Sequence, residues 1–532
     1  MHKSLILRAV TTSWIAVIAT AAVGFLLTPY VLHHLGDEAY GLWVLTVTCV
    51  GYYGLLDIGV RSSILRYVSR NQALGNRDAV NEVVATAFYY YLVACVIILI
   101  AAWLSVGFVC RFFSISTNLL PAFRHLYLLA GAVQGLTLPL VVFAGSLEAA
   151  GRFDQMYMTN VLGLVVRVVA VVAVIHEGGG LFAVGAATLL SQLFPYCIQV
   201  PLSLRANPGI SLHPKWARRS VFRDMLRYGS VSVTVGVGEK MRGYIYPLLI
   251  AKFLSPVAVT LFALPVKLMQ FPTDGIGTMT EIVNPLSSRL EAQNNFGKLR
   301  HLILNSSQTA FMLLIPLASF LIIFGRDLLK FWVGSRYTSD YGLLVLLTLG
   351  LGAAATQCCI QSMLFGIERH KVLIWYRLGE GLSVLILGSL ALKFFGLEAF
   401  AGLIACTLLT TSIFLVPRHL CRILGLSLRR YLVEGIVKPF ILAAPVIAVY
   451  VAIAHAFQIT GWRDLLLAAF TGALVYAITL LSVGLLTSRT QPAAWYTVGI
   501  LQVIAQRFLP ILSSRFRPMP ASVPPAESSI EW

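Results

Sequence analysis

The sequence predicts an all-α polytopic membrane protein of about 14 transmembrane helices: two six-helix lobes related by a pseudo-two-fold along the membrane normal, plus a C-terminal two-helix hairpin. Three observations carry that expectation. The 532-residue chain is 58% hydrophobic and only 12% charged, with a mean hydropathy of +0.82, against roughly 25% charged in an ordinary soluble domain. Apolar runs of about 18 to 25 residues, long enough to cross a bilayer, recur along most of its length. The chain also matches itself at a fixed interval of about 219 residues.

The apolar runs are centred near Ala19, Val50, Val96, Val133, Val168, Leu190, Ile245, Leu264, Leu314, Gly350, Leu385, Thr407, Ala448 and Gly472. The first has the charged start of a signal peptide ("MHKSLILR"), but its apolar stretch exceeds the roughly 7 to 15 residues of such a segment, so it reads as a retained span. Numbering the gaps alternately, the set containing the N-terminus holds about 27 Lys/Arg and the other about 8. Segments such as "RSSILRYVSRNQALGNRDAVNE" and "PRHLCRILGLSLRRYLVEGIVK" are therefore expected as cytoplasmic loops, facing anionic lipid head groups, with both termini inside. The net charge of +18 is thus spread between spans rather than gathered on one polar surface, which argues against nucleic-acid binding.

The self-match sets the domain organisation. "LGDEAYGLWVL" (Leu35 to Leu45) lies over "LSPVAVTLFAL" (Leu254 to Leu264), and "SRNQALGN" (Ser69 to Asn76) over "SRLEAQNN" (Ser288 to Asn295). Agreement in a polar loop is harder to obtain by chance than agreement between oily runs. The interval covers about six helices, an even number, so both copies enter the membrane in the same direction. The expected units are an N-lobe at 1–223, a C-lobe at 224–425, a hairpin at 426–488 and a tail at 489–532. In the tail, "WYTVGILQVIAQRFLPIL" reads as an interfacial amphipathic helix and the Pro/Ser-rich end as disordered.

Charges inside apolar runs are the candidate functional residues. With the seventh span drawn from about Tyr228, Lys240 falls about 18 Å along it, near the midplane, where a cation costs on the order of 2.5 to 3.5 kcal/mol. Glu239 and Arg242, three apart, share a helical face and are expected to pair. Lys267, Arg167 and Arg377 also fall within apolar runs. Interior cations outnumber acids, so a cavity lined by Lys240, Arg242, Lys267, Arg167 and Arg377 should attract an anionic, phosphate-bearing substrate. Asp57, Glu239 and Asp274 are candidates for taking up a coupling proton or sodium ion. The alternative for each is a local ion pair or a snorkelling side chain.

No phosphate loop, HExxH or GxSxG motif is present, and "GVGEKM" lacks the spacing of a nucleotide loop. The eight cysteines form no CxxC pair, so neither a disulfide framework nor a metal site is expected, and no cofactor is implied.

"FLLTPYVLHHLGDEAYGLWVLTVTCVGYYGLLDIGVRSSILRYVSR" (Phe25 to Arg70), "VNPLSSRLEAQNN" and "LLIPLASFLIIFGRDLLKFWVGSRY" resemble the polysaccharide biosynthesis and oligosaccharide-lipid flippases of the multidrug/oligosaccharidyl-lipid/polysaccharide exporter superfamily. The resemblance implies a flippase fold, a bacterial inner-membrane location, and an undecaprenyl-pyrophosphate-linked oligosaccharide as substrate. It also implies O-antigen, capsule or exopolysaccharide biosynthesis, with a polysaccharide polymerase and export proteins as partners. The pyrophosphate would meet Lys240, Arg242 and Lys267. Peptidoglycan-precursor flippases of this superfamily carry arginines within the first span, whereas here only Arg8 stands at its edge. Two rival readings are a cation-coupled multidrug exporter and a lipid-linked glycosyltransferase using Asp37 and Glu38 as acids. The short outer gaps favour "GDEAYG" as a polar turn instead.

Overall fold

In the computed structural model, residues 3–57, 59–113, 115–280 and 282–490 are described, with backbone alone for 3–10, 229–242, 279 and 484–490. These residues are all-helical. The helices are α1 (Lys3–Leu35), α2 (Asp37–Gly51), α3 (Val60–Ala73), α4 (Arg77–Phe112), α5 (Leu120–Ala149), α6 (Phe153–His176), α7 (Leu181–Ser191), α8 (Phe194–Ala206), α9 (Arg219–Phe253), α10 (Pro256–Thr280) and α11 (Val283–Ala292). They continue as α12 (Phe296–Trp332), α13 (Tyr341–Thr356), α14 (Cys358–Gly366), α15 (Lys371–Ser383), α16 (Ser389–Phe394), α17 (Gly396–Leu409), α18 (Val416–Leu424), α19 (Leu428–Leu432), α20 (Lys438–Ala456) and α21 (Trp462–Thr490).

Twelve segments of the described residues are long and apolar enough to cross a membrane. The other two of the expected spans correspond to α9 and α10, helices of 35 and 25 residues. The surface has the character that lipid demands. On α4, Val93, Ile97, Ile100 and Leu104 form an exposed apolar stripe, while Tyr91, Ala94, Ile98 and Ala102 are buried on the opposite side. A helix apolar on both its buried and its exposed faces is unsuited to water. The protein is a multi-pass membrane protein.

Two stretches expected as polar loops are helical. α3 carries Val60, Ile64 and Val68 on one buried stripe, with Arg61, Arg66 and Arg70 exposed, an amphipathic pattern that continues the span begun by α2 after a 3₁₀ turn at Tyr52–Asp57. α11 does the same after α10. α9 also begins at Arg219 rather than near Tyr228, because its polar first turns continue the helix beyond the apolar run. The amphipathic tail segment expected after residue 490 lies outside the described residues.

The repeat is visible in the boundaries. α2 and α10 begin at Asp37 and Pro256, and α4 and α12 at Arg77 and Phe296, each pair separated by the interval of the sequence match. Asn76 and Asn295 cap the latter two helices identically, each Oδ1 accepting from the backbone N–H three residues on at 3.1 Å. The residues before them, Gly75 and Asn294, are both left-handed, with φ of 68° and 51°. These are the two residue types that adopt that conformation most readily.

Prolines inside helices leave carbonyls without their intrahelical donor, and in the apolar interior each needs another. Pro29 frees the carbonyl of Phe25, which accepts from Trp332 Nε1 at 2.7 Å while the two rings stack 5.2 Å apart. Pro316 frees that of Met312, which accepts from Tyr476 OH at 2.8 Å. The second bond ties the C-terminal pair α20–α21 to α12.

Candidate functional site: a cationic cavity between the repeats

α1, α2, α6, α7 and α10 enclose a cavity of about 260 Å³, lined by Gly24, Thr28, Trp43, Arg167, Gln192 and Lys267 among others. Gly24 on α1 faces Lys267 at close range: a Cβ there would be in van der Waals contact, 3.4 Å from Lys267 Cε and 3.7 Å from its Nζ. The Lys267 side chain therefore crosses from α10, in the second repeat, to the face of α1 in the first. Its ammonium reaches Gln270 Oε1 at 3.4 Å. Asp274 lies two helical turns further along α10, on the same face as Lys267.

Arg167 approaches the cavity from the middle of α6. Its Nε is buried and makes no hydrogen bond among the described residues, an arrangement that native packing seldom tolerates. A guanidinium with an unspent donor and an ammonium from the opposite repeat line one half-open space whose walls are nearly as polar as apolar. That combination favours an anion with several acceptor oxygens.

The other expected site residues are distributed differently. Arg377 does not line this cavity: it is buried against Glu380, with Nη1 3.0 Å from Oε2, and its Nη2 lies 3.5 Å from Gln361 Oε1. Glu380 also accepts from Thr411 Oγ1 at 2.5 Å, on a π-helical turn at Thr410–Leu415. Asp57, at the end of the 3₁₀ turn, accepts from Tyr91 OH and from the main-chain N–H of Arg61. Glu239, Lys240 and Arg242 stand on α9, which packs along α2, α3, α10 and α15, but their side chains lie outside the described residues. Asp37 and Glu38 are committed to structure: Asp37 pairs with Arg336 and accepts from Tyr337 OH, and Glu38 Oε1 accepts from Ser116 N at 3.3 Å.

Three residues fall outside the sequence expectations. Arg61, away from this cavity, is half-exposed yet anchored on the buried Glu148 at 2.5 Å, on a helix where the sequence reads as a loop. Gln192 and Gly24 carry no signal that a single sequence could display.

The fold and its inter-repeat cavity define a class: multi-pass helical membrane proteins built from two like halves. The chain belongs to the polysaccharide biosynthesis protein family, whose model matches residues 35–340. It is 22% identical over 471 residues to the uncharacterized membrane protein EpsK of Bacillus subtilis (strain 168), covering 85% of this chain and 90% of that protein. Its fold is similar to a multidrug resistance MATE family transporter of the MOP superfamily in an inward-facing conformation (TM-score 0.68, 16% identity, 79% of this chain and 99% of that one). It is also similar to the lipid II flippase MurJ in an inward closed conformation (TM-score 0.67, 13% identity, 89% and 98%).

Proposed function

We propose that the protein is a flippase that carries an undecaprenyl-pyrophosphate-linked oligosaccharide from the cytoplasmic to the outer leaflet of the bacterial inner membrane, for O-antigen, capsule or exopolysaccharide assembly. The observation that carries this reading is the cavity shared by Arg167 and Lys267, one cation from each repeat. Family membership supports the pathway, and the likeness to a lipid II flippase supports the fold's suitability for lipid-linked cargo. In this reading residues 1–223 and 224–425 are lobes that rock about the cavity, 426–488 is an accessory hairpin, both termini are cytoplasmic, and 489–532 is a cytoplasmic tail.

The size of the cavity restricts what it recognises. About 260 Å³ is below the roughly 300 to 1,000 Å³ of pockets that enclose drug-sized ligands, so it takes the pyrophosphate and leaves the glycan and the lipid tail outside. Lys240 and Arg242, which stand on α9, are proposed as further residues for the pyrophosphate. Asp274, on the Lys267 face of α10, is the first candidate for proton or sodium coupling, followed by Asp57 and Glu239. Arg377, neutralised by Glu380, is assigned to packing.

The test is reconstitution in vesicles and measurement of lipid-pyrophosphate oligosaccharide movement, with and without a proton or sodium gradient. Arg167→Gln and Lys267→Gln are each expected to raise the half-saturating substrate concentration about 10- to 100-fold, the loss of a charge-assisted hydrogen bond. Unchanged flux in both variants sinks the reading.

A further inference from the structure

We infer that Asp37 clasps the two lobes together at the outer face of the membrane and acts as a gating contact that must release each time the protein opens outward; this rests on the alternating-access reading above. Asp37 begins α2 and Pro256 begins α10, and the two positions are counterparts in the repeat. Gly41 and Thr260 are counterparts as well. The two helix starts meet reciprocally: Thr260 Oγ1 donates to the Asp37 carbonyl at 2.6 Å, and a Cβ on Gly41 would stand 1.9 Å from the Pro256 carbonyl oxygen. The same pair of positions thus touches twice, as a contact on a two-fold axis requires.

The symmetry is broken by one side chain. Pro256 has nothing to offer where Asp37 has a carboxylate, and that carboxylate takes Tyr337 OH and the Arg336 guanidinium. Both come from the 3₁₀ turn Ser335–Asp340 between α12 and α13. Arg336 also lies over the Tyr337 ring, 5.0 Å from its centroid. Close by, Trp332 reaches Phe25 across the same seam.

Apart from the Arg336–Tyr337 ring contact, which stays within the second lobe, each of these pairs joins residues 1–223 to residues 224–425. Rocking the lobes apart at this face must break the Asp37 contacts together. The Gly41–Pro256 approach is steric and only sets the distance of closest packing. Attraction comes from Asp37, whose side chain is 11% exposed while that of Arg336 is 64% exposed. A contact at the rim is suited to repeated release, because water there can replace each broken bond.

The experiment uses the full chain in lipid nanodiscs, with Cys197 and Cys406 replaced by alanine and nitroxide labels on Glu177→Cys and Phe395→Cys. These are exposed positions in turns of the two lobes at the same face. Double electron–electron resonance should give one dominant short separation in the parent protein. Arg336→Ala and Asp37→Asn should each raise the ratio of long to short separations about fivefold, and Arg336→Lys should keep it near the parent value. Arg336→Ala removes an exposed side chain and so does not threaten folding. An unchanged distribution in the Arg336→Ala/Tyr337→Phe double variant overturns the clasp. The readout requires no lipid substrate, so opened separations without any flipping in vesicles would discard the transport reading and leave the clasp standing.

Discussion

Arg377 and Glu380 form an ion pair inside the helical packing, Nη1 to Oε2 at 3.0 Å, with neither residue more than 4% exposed. Removing one partner takes the counter-ion from a buried charge, which keeps only uncharged contacts such as Gln361 for Arg377 or Thr411 for Glu380 among those described. Glu380→Leu is expected to destabilise the protein by about 3 to 5 kcal/mol, while Arg377→Met/Glu380→Leu together recovers most of that loss. Thermal unfolding of the detergent-purified variants checks the order.

Arg167 is expected to show the reverse pattern. Its Nε makes no hydrogen bond among the described residues, so Arg167→Met should raise the melting temperature by a few degrees, on the order of 1 kcal/mol, while weakening substrate binding. A stability gain coupled to a transport loss separates a binding residue from a structural one. A stability loss would place Arg167 in the packing instead.

Gly41 and Gly75 provide a contrast in why glycine is required. Gly41→Ala forces a methyl against the Pro256 carbonyl, so two backbones must separate, at about 1 to 3 kcal/mol. Gly75→Ala meets nothing within 4 Å but holds φ at 68°, at about 1 to 2 kcal/mol. The separation measured by spin labels should respond to Gly41→Ala alone, and melting temperature to both.

His370 should govern part of the stability of the protein in acid. It sits in the turn between α14 and α15, 7% exposed, stacked 4.7 Å from Phe365, with neither ring nitrogen hydrogen-bonded. Burial holds its pKa below the ordinary imidazole value, with Lys371 adding to the effect and Glu368 opposing it. The neutral form is therefore the one the fold accepts. Above an unfolded pKa of about 6.5 the group contributes no pH dependence, and as pH falls below that value the unfolded chain gains protons first and stability declines. His370→Phe should flatten the melting-temperature profile between about pH 6.5 and pH 5.

Much of this organisation is legible in the sequence because lipid enforces it. Length and apolarity reveal a span irrespective of tertiary partners, and the polar match between Ser69–Asn76 and Ser288–Asn295 marks the repeat that the caps at Asn76 and Asn295 display. Lys267 and Arg167 stand out as charges in oil. Their meeting in one cavity does not, since it depends on α6 and α10, about a hundred residues apart, both packing against α1. The Arg377–Glu380 pair is visible at i, i+3 in the sequence, but spacing alone does not say that both side chains turn inward. Asp37 read as part of a polar turn because its partners lie about 300 residues away.

The two carbonyls freed by Pro29 and Pro316 have different fates. Tyr476 braces the kink of α12 to the final pair of helices, so shortening the chain before α21 would strip a polar atom bare in hydrocarbon. Trp332 braces Phe25 across the seam that the proposed rocking of the lobes would part. That bond can be surrendered only to an incoming solvent molecule, and hydration of a single peptide oxygen thus precedes any widening of the outer crevice.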